Sequence, residues 1–130
     1  DGREEKIRMI GVDTPETHKP NSPVECFGKQ ASEYTTKALL GKEVKLEPDP
    51  LNQNRDRYQR LLRYVFTKEG LLYNAELIKQ GYGFAYLSFP FTKSDEFRQL
   101  QTEAKNNNAG LWSGECQITD QNGRNKTNGL

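Results

Sequence analysis

Apolar residues recur along this 130-residue chain with two periods, one near 3.6 and one of 2. Residues 27–40 carry Ala31, Tyr34, Thr35, Ala38 and Leu39 at helical spacing, and Gly41 follows as a stop. Residues 72–80 predict a shorter helix closed by Gly81. A third helix places Phe97, Leu100 and Ala104 inward, opened by Thr92 and Asp95 at capping-box spacing and ended by Asn106–Asn108 and Gly110. Strands are predicted at 6–12, 43–47, 60–66 and 84–87. In the second of these, Val44 and Leu46 alternate onto one half-buried side. The prolines at 15, 20 and 23 make 13–24 a loop, and 48–54 form another. Leu111 and Trp112 are expected to pack back on the body. Beyond Ser113 the chain turns to Gly, Asn, Gln and Thr, so 114–130 reads as a flexible tail or linker. The order strand, helix, strand, strand, helix, short strand, helix does not alternate as parallel α/β folds do. It suits a small α+β domain, a barrel with helices, over residues 1–113. Asp1-Gly2 is a hairpin turn signal with nothing before it, so the domain is expected to begin upstream.

Composition narrows this picture. The chain is long enough for one core, yet only 33% apolar, and its 28% charged residues leave a net charge of +1. That lacks the basic excess common in nucleic-acid binders. Local charge is more telling, since residues 55–63 hold four arginines against one aspartate. No apolar run approaches the roughly 20 residues of a membrane span. Cys26 and Cys116 are either two free thiols or one long-range bridge, the latter implying an oxidising compartment. Two cysteines and one histidine, widely scattered, argue against a zinc site.

Two segments carry candidate chemistry. Arg8 to Glu16 runs an apolar strand into the rigid acidic turn Val-Asp-Thr-Pro-Glu, and Arg55-Asp56-Arg57-Tyr58-Gln59-Arg60 follows some forty residues later. Carboxylates suit a hard cation, arginine forks suit phosphate, and aromatics suit a base. Metal-assisted phosphodiester cleavage needs that combination. Arg8 and Asp13 are five apart and face opposite sides of a regular strand, so sharing a site requires a bend, for which Gly11 is the place. Each segment alone has a plainer reading: an ordinary turn for Asp13–Glu16, and a solvated face for Arg57 and Arg63. Tyr34, Tyr64 and Phe66 read as core, Tyr73 and Tyr82 as either, and His18 as surface. No nucleophile elbow, Walker loop or dinucleotide fingerprint is present.

From Lys6 to Trp112 the chain resembles the staphylococcal (micrococcal) nuclease, or thermonuclease, family. The resemblance lies in Val12-Asp13-Thr14-Pro15-Glu16-Thr17, Asp56-Arg57-Tyr58-Gln59-Arg60, Asn74 to Gly81 and Gly110-Leu111-Trp112-Ser113. It implies a five-stranded OB-fold barrel with three helices, here with its first strand truncated. It also implies a calcium-dependent nuclease that takes DNA and RNA, single strands preferred, and leaves 3′-phosphate products. Asp13 and the Thr14 carbonyl would bind calcium, Glu16 would handle the attacking water, and Arg8 and Arg60 would hold the scissile phosphate. Tyr58 and Tyr86 would flank the nucleotide, with Arg57 and Leu62 completing the substrate set. The chain departs from the family pattern at Gln59 and Leu61, where glycines flank the second arginine, and at Ser88, where a pocket tyrosine is replaced beside Phe89. A further metal-binding aspartate of the family falls before residue 1. The competing reading is a catalytically impaired binding or interaction module, and a third is an excised domain of a larger secreted or cell-surface bacterial nuclease.

Overall fold

The structure is a computed structural model that describes residues 2–17 and 23–130. Strand β1 (Ile7–Met9) pairs in parallel with β4 (Leu61–Thr67), which pairs antiparallel with β3 (Val44–Glu47). A second sheet joins β2 (Val12–Asp13) to β5 (Phe84–Ala85). Helices α1 (Gly28–Leu39), α2 (Tyr73–Lys79) and α3 (Ser94–Asn106) pack around them, and a single 3-10 turn spans Gly110–Trp112. The architecture is mixed α+β with three helices, as expected. No closed barrel forms among the described strands, which fall into separate sheets of three, two and two. His18 lies outside the described residues.

The single strand expected over 6–12 is broken in two, and the break sits at the expected place. Ile10 and Gly11 form a turn, with Gly11 at φ 76°. A Cβ there would lie 2.5 Å from the Phe91 ring and 2.8 Å from Phe97, so both the backbone and the packing demand glycine. Asn74, fully buried on α2, clamps this bend. Its Nδ2 donates to the carbonyls of Ile10 (3.0 Å) and Arg63 (3.3 Å), and its Oδ1 accepts the Val65 amide (2.8 Å). One carboxamide thus satisfies backbone groups of two strands at the point where their ladder ends. Around it lie Ile10, Val12, Tyr64, Val65, Tyr73, Leu77, Ile78 and Phe97, each no more than 4% exposed. Gln101 on α3 accepts the Ala85 amide at 2.8 Å and ties that helix to β5.

Three local expectations give way to tertiary context. Val44 and Leu46 are each 38% exposed on the edge strand β3, less covered than their alternation predicts. Thr92 does not cap α3. Its hydroxyl donates instead to the buried carboxylate of Asp49 at 2.6 Å, and Lys93 stands at the N-cap without a side-chain bond. Residues 114–130, read as a tail, hold a hairpin of β6 (Ile118–Gln121) and β7 (Arg124–Thr127). Its apolar content is low because covalent and polar links fasten it. Cys26 and Cys116 form a disulfide, the Cys26 amide donates to Asn128 (2.7 Å), and the Leu130 amide donates to Val24 (2.9 Å). A bridge closing a loop this long stabilises by about 2–4 kcal/mol.

The Asn74 clamp predicts that Asn74→Ala, which orphans the Val65 amide and the Ile10 carbonyl, lowers stability by about 3 kcal/mol. Urea titration of both proteins checks this, and a loss under ~1 kcal/mol would show that the bend holds itself.

Candidate functional site

The bend opens onto a cavity of about 1040 Å³. Its walls come from Arg8–Gly11, from the 51–60 loop, from Tyr86 with the 89–91 segment, and from Arg124 on the terminal hairpin. Among the described residues five arginines line it against one aspartate, Asp56. The chain's near-neutral total charge therefore hides a focused positive field.

Each of these side chains is placed by a specific local device. Arg8 leaves β1 just before the break, and its Nη1 donates to the carbonyls of Met9 (2.8 Å) and Val12 (2.6 Å), spanning the turn. Burial lowers its pKa, Asp13 opposes that shift, and the nearby cations Arg60 and Arg124 add to it. The Gly11 carbonyl accepts the Tyr86 amide at 2.8 Å, which brings the Tyr86 ring to 5.7 Å from the Arg8 guanidinium. On the facing wall the Asp56 carboxylate organises a tight turn. It accepts the amides of Tyr58 (2.9 Å) and Arg60 (3.0 Å) and the Nε of Arg60 (2.7 Å). Burial acts to raise the Asp56 pKa, and these bonds outweigh it and leave it lowered. Tyr58, 64% exposed, projects from this turn under the guanidiniums of Arg57 (4.9 Å) and Arg60 (5.4 Å). Gln59 sits at φ 67°, a left-handed conformation costly for a residue with a Cβ.

The family model for staphylococcal nuclease homologues matches residues 6–114. The chain belongs to this family. It is 42% identical over 114 residues to the thermonuclease of Staphylococcus hyicus, covering 87% of this chain and 66% of that protein. It is 40% identical over 116 residues to the thermonuclease of Staphylococcus intermedius, covering 86% and 66%. Endonuclease YncB of Bacillus subtilis is 37% identical over 122 residues, covering 92% of this chain and 57% of that protein. The chain thus spans just under two thirds of the length of the two thermonucleases.

Of the residues singled out by the family motifs, Arg8, Arg57, Tyr58, Arg60, Leu62 and Tyr86 line the one cavity. Thr14 and Glu16 do not: both are exposed on the turn after β2, and the Glu16 amide donates to Glu25 at 2.9 Å. Asp13 stands at the cavity edge, where Arg124 takes both its oxygens, Nε at 2.6 Å and Nη2 at 2.9 Å. Calcium takes about six to eight oxygen ligands. Among the described residues no group of three or more His, Cys, Asp or Glu comes together to hold a metal ion, and a guanidinium already satisfies Asp13. In this arrangement calcium would have to compete with the Arg124 guanidinium for the Asp13 carboxylate.

Sequence reading overlooked Arg124 and the structural roles of Arg55 and Asp56. Arg55 pairs with Glu5 (2.9 Å) and donates to the Gln59 carbonyl, bracing the turn. Arg63, read as a solvated face, is half-buried, and its guanidinium donates to the Asn54 side chain at 2.6 Å. Asp49, 2% exposed, anchors the loop that forms the cavity floor, accepting Tyr64, Thr92 and the Leu51 amide. Burial pushes its pKa up, but the Thr92 and Tyr64 hydroxyls and two amides outweigh that and hold it at about 2.

Two measurements follow from this geometry. Gln59→Gly relieves the left-handed strain and is expected to raise stability by about 0.5–1 kcal/mol, read by thermal melting; a fall would mean that the side chain contributes more than the strain costs. A carboxyl depressed in the folded state stabilises fully above its unfolded pKa and loses that contribution as pH falls through its folded value. Stability should therefore drop by roughly 2 kcal/mol between about pH 4 and pH 2 on account of Asp49. Asp49→Asn should flatten that segment of the curve, and an unchanged slope would remove Asp49 as its source.

Proposed function

We propose that this chain is the catalytic domain of a nuclease that hydrolyses phosphodiester bonds in DNA and RNA, preferring single strands and leaving 3′-phosphate ends. One observation carries the reading: Arg8 and Arg60 share a cavity with Tyr58 and Tyr86. Arg60 commits only Nε to Asp56, and Arg8 commits only Nη1 to carbonyls, so each guanidinium keeps donors without a partner among the described residues. Phosphate oxygens are the natural acceptors for such forks. The exposed ring of Tyr58, with Tyr86 and the 63% exposed Phe89 across the cavity, offers stacking surfaces for bases.

In this reading water attacks phosphorus, the bond to the 5′ oxygen breaks, and Glu16 takes the water's proton while solvent protonates the leaving oxygen. Arg8 and Arg60 offset the charge that builds on the phosphoryl oxygens. Glu16 would act from the turn it shares with Asp13, made rigid by the buried Pro15. Dependence on calcium rests on the family resemblance alone. The Cys26–Cys116 bridge supports a secreted or cell-surface setting, where disulfides persist. No helix among the described residues is long and apolar enough to cross a membrane.

The hold of Arg124 on Asp13 favours a second reading, a module that binds nucleic acid without cutting it. Incubating labelled single-stranded DNA or RNA with the protein in calcium, and then in chelator, separates the two. Cleavage that stops with chelator is the expected result; tight binding with no product in calcium, magnesium or manganese would establish the binding module instead. Glu16→Gln should lower turnover by at least ~100-fold with strand binding retained, and Arg60→Ala should cost about 10²–10³ in kcat. Full activity in Glu16→Gln would remove that carboxylate from the mechanism.

A further inference from the structure

The terminal hairpin does more than cover the end of the chain. Arg124, the first residue of β7, reaches across 111 positions to Asp13 and forms part of the cavity wall beside Arg8 and Arg60. It lies beyond the 6–114 segment that the family model matches. Its guanidinium stands 5.5 Å from the Tyr86 ring, the same ring that Arg8 approaches at 5.7 Å. The side chain is 58% exposed, and after Nε and Nη2 engage Asp13, Nη1 has no partner among the described residues. A fork held on one edge by a carboxylate, with its other edge open to a cationic cavity, is preset for a second anion.

We infer that Arg124 is a further phosphate-binding residue of this cavity, contacting a phosphate of the strand next to the one held by Arg8 and Arg60. This rests on the nucleic-acid reading of the cavity given above. Electrostatics favour it: Arg60 and Arg124 both crowd Arg8 with like charge, and a bound phosphate relieves that crowding. The pairing with Asp13 orients the guanidinium before substrate arrives, so little side-chain freedom is lost on binding. The disulfide and the β-bridge between Glu25 and Gly129 hold the hairpin where Arg124 can reach.

The alternative is that Arg124 is only a fastener between hairpin and body, and salt dependence distinguishes the two. Binding of a fluorescein-labelled twelve-residue oligothymidylate is followed by anisotropy in chelator, across a range of salt concentrations. Arg124→Gln should weaken binding about 3- to 10-fold at low salt and reduce the slope of log affinity against log salt by about 0.7, one phosphate contact on a single strand. Arg124→Lys should restore the slope. Lys126→Gln removes the same charge two residues along, where the ammonium pairs with Glu25 outside the cavity, and should leave the slope unchanged. Should the lone Asp13 carboxylate unfold Arg124→Gln, the pair Asp13→Asn with Arg124→Gln is measured against Asp13→Asn alone and should show the same loss of slope. An unchanged slope in the Arg124 variants while Arg60→Gln weakens binding would overturn the inference and leave the nucleic-acid reading standing. An equal effect from Lys126→Gln would reduce it to net charge. No binding by the unaltered protein would overturn both.

Discussion

The carboxamide of Asn74 governs the geometry of this domain. A strand carrying Arg8 and Asp13 five positions apart sends them to opposite faces unless it is broken. Breaking it inside a core strands backbone groups that water cannot reach. Asn74 meets that demand from α2, binding Ile10 at the break and Arg63 and Val65 on the neighbouring strand. Gly11 can then take its left-handed turn under Phe91 and Phe97, and its carbonyl fixes the backbone of Tyr86. Core packing and cavity shape therefore meet at one buried polar side chain, with fully connected bonds as such groups require.

The facing wall follows a different logic. There the turn from Asp56 to Arg60 is held by a carboxylate that binds two amides and a guanidinium, while Gln59 bears backbone strain at its tip. Positive charge is gathered on one side of the molecule and steadied by acidic partners: Asp56 under Arg60, Glu5 under Arg55, Asp13 under Arg124. Each partner leaves part of its guanidinium uncommitted. The cavity keeps its sign while the folded protein escapes most of the repulsion that bare arginines would create.

Much of this was legible from residue patterns. Helical periodicity located the three helices to within about two residues, and the need for Arg8 and Asp13 to converge located the bend at Gly11. Arg8, Tyr58 and Arg60, which stood out in the two candidate segments, line one cavity with Leu62 and Tyr86, which the family resemblance implied. What stayed hidden depended on contacts distant in sequence. Thr92 has the spacing of a cap, but Asp49, 43 positions earlier, competes for its hydroxyl. Val44 and Leu46 alternate properly, yet both stay 38% exposed at the edge of the sheet. The hairpin at 118–127 has too few apolar residues to announce itself, since a disulfide and main-chain bonds hold it. Arg124 sits in that stretch with no local signal of the carboxylate it meets. The described strands pair into separate short sheets, and pairing between remote edges is something periodicity does not encode.

The Cys26–Cys116 bond has one further consequence. It joins positions 90 apart and so turns most of the domain into a covalent ring. A single peptide cut at any exposed loop within that ring opens it without releasing a fragment, and the severed pieces stay threaded through the same core. A scission that would otherwise divide the domain leaves its two pieces covalently joined.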